Sequence, residues 1–179
     1  MGRIVELDAA YRMPLALTMF TLLTALLLAQ QPIPVTPACA ATDTALPSGL
    51  AGWTSPGASL ASGSATRVSA GATLPNLPPA HRTGPGAAVR FTIVQASTYA
   101  IALDQAAWLD VLPLDPAGNV GAALRSVGHG HGPACSTIRK IVRFDLAPGT
   151  YALQLSGLQR PEARVMLVPA DALPQEPRP

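Results

Sequence analysis

From position 87 onward, apolar side chains recur at every second residue, a period that a helix cannot use to bury one face but a strand can. Val89, Phe91 and Ile93 alternate with Arg90, Thr92 and Val94, and Tyr99, Ile101 and Leu103 alternate with Ala100 and Ala102. Ile138, Lys140, Val142, Phe144 and Leu146 share one parity, opposite Arg139, Ile141, Arg143 and Asp145. Ala147-Pro148-Gly149 reads as a turn into Tyr151, Leu153 and Leu155, and Asp115-Pro116-Ala117-Gly118-Asn119 as another. Further strands are expected at 108–112 and 164–168, a weaker one at 120–127, and one around 67–74. Roughly eight short strands with turn residues between them imply antiparallel pairing, because the connections are too short for parallel crossovers. The predicted fold is all-β: an antiparallel, jelly-roll-like β-sandwich over 87–170.

The rest of the chain has a different texture. Residues 41–86 are rich in Ala, Gly, Ser and Pro and hold one aromatic residue, Trp53. They read as a low-complexity lead, partly docked, with Trp53 as the anchor that holds it to the domain. The string 78–86 is turn-rich and predicts a loop, in which His81 stands as a solvated surface histidine. Residues 171–179 read as a disordered tail.

The first 40 residues read as a leader. An uncharged apolar run, PLALTMFTLLTALLLA, covers 14–29 and follows Arg3 and Arg12. A cationic lead before a short apolar helix is the pattern of a secretory signal, and the run is short for a permanent span, which needs about 20 apolar residues. Ala38-Cys39-Ala40 has the form of a cleavage site, and Ala29 offers an earlier one. A third alternative makes Cys39 a lipid-modified first residue, although Thr36 stands where such a signal carries leucine. The expected location is the periplasm or the medium, with membrane contact only through an uncleaved leader or lipidation.

In an exported chain the two cysteines, Cys39 and Cys135, suggest one disulfide, provided that processing leaves Cys39 in place. The net charge of +2, with 11 Arg and one Lys against 10 acidic residues, gives no basic surplus for phosphate backbones. Aromatic residues make up 4% of the chain, too few for base stacking, so nucleic-acid binding is not expected.

One segment carries residues suited to chemistry. Gly128-His129-Gly130-His131-Gly132-Pro133-Ala134-Cys135 holds two of the three histidines and a cysteine. On an extended backbone the i, i+2 spacing turns both imidazoles to one side, where they suit Cu or Zn. A catalytic metal site needs a third protein ligand. His81, Asp104 or Asp110 is a candidate for it, and Cys135 is one only if it stands outside a disulfide. Beyond them, Arg139 and Arg143 read as the solvent face of an amphipathic strand, or with Lys140 as a patch for an anion or an acidic partner. There is no Ser/His/Asp ordering, nucleophile elbow or phosphate-cradling glycine loop.

Two resemblances rest on these residues. FTIVQASTYAIAL at 91–103, the strand with Asp110, and FDLAPGTY at 144–151 followed by ALQLSG resemble the bacterial pre-peptidase C-terminal type of β-sandwich over roughly 87–169. That resemblance implies an accessory or binding module rather than an active site. ACA, LPSGLAGW and GHGHGPACSTIRKIVRFDLAPGTY together resemble a group of small exported alphaproteobacterial proteins, some labelled homogentisate dioxygenase, a large iron enzyme whose length and His/Glu set this chain does not have. The leading expectation is a non-enzymatic exported module binding a protein or cell-envelope component. A Cu or Zn protein using His129 and His131 is the alternative, and a dioxygenase-type enzyme a further one.

Overall fold

The structure is a computed structural model that describes Cys39 and residues 42–174. The leader run at 14–29 and positions 175–179 lie outside the described residues. Side-chain alternation sorts the chain into eight strands: β1 (Ala65–Ser69), β2 (Gly86–Ile93), β3 (Ser97–Leu103), β4 (Trp108–Leu114), β5 (Gly128–Gly130), β6 (Lys140–Leu146), β7 (Gly149–Ser156) and β8 (Glu162–Pro169). They form a five-stranded sheet in the order β1-β8-β3-β6-β5 and a three-stranded sheet in the order β2-β7-β4. The named strand pairs are all antiparallel, so the chain is an all-β sandwich.

The pairing is nested. β1 lies on β8 with Ala65 opposite Met166, β2 on β7 with Phe91 opposite Tyr151, and β3 on β6 with Tyr99 opposite Phe144. A chain paired this way is one long hairpin rolled into two layers, the plan of a jelly roll. A fourth nested pair, β4 with β5, would complete it. Instead β5 adds to the far side of β6.

Between the layers, one face of each strand builds the main core. Ile101, Leu103, Phe144, Val165 and Leu167 meet Phe91, Ile93, Val111, Leu153 and Leu155, and all are buried. Phe91 and Tyr151 stack with ring centroids 5.4 Å apart.

The five-stranded sheet is covered on its other face too. Ala100 and Ala102, fully buried on β3, are small enough to admit Trp53 and Leu50 from a 3-10 helix over Ser48–Thr54. Ile141, Met166, Val168 and Leu173 complete this second cluster. A Cβ on Gly49 would come within 2.2 Å of the Ala172 carbonyl oxygen, so only glycine lets the helix approach a second 3-10 turn at Ala170–Ala172.

Three expectations shift. The sandwich does not begin at 87: the lead supplies β1, an edge strand with Ala65, Thr66 and Val68 buried. The strand expected around 67–74 is therefore displaced toward Ala65. The tail does not begin at 171 either, because Leu173 is buried against the outer face. Among the described residues no helix is long and apolar enough to cross a membrane.

Candidate functional site

The missing fourth pair creates the site. After β4, Asp115 turns the chain back: its carboxylate accepts from the Asn119 backbone and side-chain amides, both at 2.7 Å. These bonds hold the Asp115 carboxyl below its ordinary pKa, the Asn119 side chain contributing most. The returning segment runs briefly along β4, with Gly121 N–H donating to Pro113 and Leu124 N–H to Val111, each at 2.8 Å. It then leaves one sheet for the other, and Val127 N–H donates to Arg143 as the chain enters β5. The strand expected at 120–127 is thus shared between two sheets and is regular in neither. No described strand covers the edge of β4 from Trp108 to Asp110, and under the crossing the layers part around a cavity of about 690 Å³.

Its floor is apolar, built from Leu109, Leu124, Val142 and Phe144. Its rim is basic: Arg125, Arg139 and Lys140 stand against one carboxylate, Asp110. Lys140 is half-buried and donates from Nζ to the Ala107 carbonyl. Burial, reinforced by the nearby Arg82 charge and opposed by Asp110, lowers its pKa.

His129 and His131 both line this cavity. His129 sits on β5 opposite Val142. Of the candidate third ligands, Asp110 lines the same cavity, whereas Asp104 and His81 are not in its lining. Asp104 pairs with Arg160 at 2.8 Å, and Asp110 accepts from Trp108 Nε1 at 3.0 Å. No group of three or more His, Cys, Asp or Glu suited to a metal ion occurs among the described residues. Cys135 is bonded to Cys39, with Cα atoms 5.4 Å apart, so it offers no thiolate. The disulfide is part of a wider clamp. Asp43 N–H donates to the Cys135 carbonyl, the Asp43 carboxylate accepts from Thr137 N–H and Oγ1, and Trp53 Nε1 donates to Thr137 Oγ1. A Cβ on Gly132 would lie 2.1 Å from the Ile138 carbonyl oxygen, so glycine is required where this loop closes on itself. The clamped loop joins His131 to Arg139, two residues of the cavity lining.

The patch expected from Arg139, Lys140 and Arg143 divides. Arg139 and Lys140 line the cavity, whereas Arg143 shares the parity of Ile141 on the opposite face of β6.

His81 and Trp108 supply what the sequence reading missed. His81 is exposed but not solitary: it stacks on Trp108 at 4.2 Å, with the planes 12° apart. The Arg82 guanidinium lies 5.8 Å from the Trp108 ring centroid, and Arg82 N–H is held by Ser156 Oγ. Trp108 keeps 37% of its surface exposed at the cavity. The one available signal was the run of Trp108 and Asp110 in alternation with inward-facing Leu109 and Val111.

No family model matches the chain, and no curated protein or solved structure matches it.

Proposed function

We propose that this chain is an exported, non-enzymatic β-sandwich that binds a component of the cell envelope or its surroundings in the cavity between β4, β5 and β6. The cavity carries the reading. At about 690 Å³ it lies within the roughly 300–1,000 Å³ of small-molecule sites, and it combines an apolar floor with a few convergent polar groups. Export is supported by the cationic-apolar leader and by the Cys39–Cys135 disulfide, a bond that persists mainly in oxidising compartments. Two experiments test the reading. Fractionation of cells making the tagged chain should recover it outside the cytoplasm without free thiols. A ligand panel screened by thermal shift should give hits that vanish in Ala106→Trp, which fills the mouth from an exposed position. Recovery in the cytoplasm with two reactive thiols would remove export, and hits indifferent to Ala106→Trp would remove the cavity.

A metal-handling role is the second reading, favoured by His129 and His131 lining one cavity. Titration with Cu²⁺ and Zn²⁺ should then show micromolar binding that His129→Ala plus His131→Ala abolishes. Binding that is absent, or unchanged in the double variant, would dismiss it.

A further inference from the structure

We infer that the cavity takes a small organic anion with a flat apolar body, its charged group on Arg125, Arg139 and Lys140 and its body against Trp108 and the apolar floor. The inference rests on the binding-module reading and specifies its ligand.

Charge is the first ground. Arg125 and Arg139 line the cavity and form no ion pair with any described residue. Several carboxylates elsewhere are engaged: Glu162 with Arg67, Asp104 with Arg160, Asp145 with Thr98 and Asp43 with Thr137. Asp110, the cavity's own carboxylate, already accepts from Trp108. Lys140 is drawn partly out of water with a neutral carbonyl as its hydrogen-bond partner. Asp110 is the one carboxylate in the lining against three cations, so an incoming anion adds counter-charge to a half-buried ammonium.

Shape is the second ground. An acidic protein surface would meet cations on an open face, but Arg143, which would have extended such a face, points to the other side of the sheet. Arg139 and Lys140 instead border a concavity floored by Leu109, Val142 and Phe144. A fully solvated ion such as free phosphate would leave that floor unused. Trp108 at the mouth, 37% exposed with one face stacked on His81, leaves indole surface against which a planar apolar body packs.

The test is calorimetric titration of the disulfide-bonded chain with naphthalene-2-carboxylate, 2-naphthalenemethanol and 2-naphthylmethylammonium, three probes of one shape and different charge. The carboxylate should bind about tenfold or more tighter than the alcohol, the ammonium most weakly, and the carboxylate's advantage should shrink with added salt. Arg125→Gln plus Arg139→Gln, both at exposed positions, should cut that advantage severalfold, Lys140 remaining, while leaving the circular dichroism unchanged. Ala106→Trp should abolish binding of every probe. Equal binding of alcohol and carboxylate, both blocked by Ala106→Trp, would overturn the anion inference and leave the binding-module reading standing. Binding that survives Ala106→Trp would overturn both, and failure of the carboxylate to bind at millimolar concentration would overturn the inference.

Discussion

Trp53 reaches the sandwich from outside the sequence region that reads as its core, and its removal tests whether the lead is structural. The indole is fully buried on the outer face of the five-stranded sheet. Truncating a buried Trp to Ala costs about 3–5 kcal/mol in lost burial and cavity formation. The Nε1 bond to Thr137 Oγ1, at 2.8 Å, adds about 1 kcal/mol net. These terms overlap, so Trp53→Ala should cost about 4 kcal/mol, a large part of the 5–15 kcal/mol typical of a domain. Trp53→Phe keeps most of the apolar surface and loses the donor and part of the ring, so about 1–2 kcal/mol is expected. Urea unfolding followed by far-ultraviolet circular dichroism gives both numbers from the midpoint, with the slope as a check on two-state behaviour. A Trp53→Ala variant within about 1 kcal/mol of the natural chain would refute the assignment of the lead to the fold.

The Cys39→Ser plus Cys135→Ser variant should lose up to about 4–5 kcal/mol, the chain-entropy ceiling for a loop near 100 residues; here the two residues are 96 apart. Denaturation with and without reductant measures the loss, and an unchanged midpoint would contradict it. Gly132→Ala forces a methyl group into the Ile138 backbone, so a loss of about 1–3 kcal/mol is expected, with chemical-shift changes in a ¹H–¹⁵N spectrum centred on His131 and Arg139. The lowered pKa of Lys140 sets a pH dependence. The unfolded chain holds this proton to higher pH than the folded one, so between the folded pKa and the ordinary lysine value near 10.5 its contribution to stability rises with pH. Lys140→Met should flatten that alkaline slope in pH-dependent unfolding, and an unaltered slope would count against the cause assigned here.

Period-two alternation was enough to read most of the sandwich, because Phe91, Ile101, Phe144 and Leu153 are large and each strand has one buried face. β1 was blurred since Ala65, Thr66 and Val68 are small and bury on both faces of the sheet, Val68 in the main core and Ala65 in the outer cluster, so no clean one-face alternation marks the strand. The stretch 120–127 misled for a different reason: one end bonds to β4 and the other to β6, so neither sheet imposes a regular repeat on it. In the site, the common parity of Lys140, Val142 and Phe144 already aimed the lysine inward. The meeting of Trp108 with His81 was invisible, because their contact spans two segments that only the closed roll brings together. Arg143 was grouped with Arg139 and Lys140 by sequence proximity; pleating sets it opposite Lys140, while Arg139 lies just before β6 and escapes that alternation.

A strand that changes allegiance midway acts like an expansion joint. Residues 120–127 connect the two layers where β4 and β5 do not pair, and the three nested pairs do not depend on how long that connection is. Insertions or deletions there would widen or narrow the chamber while the rest of the sandwich keeps its register, so the size of the hollow is set independently of the pairing that encloses it.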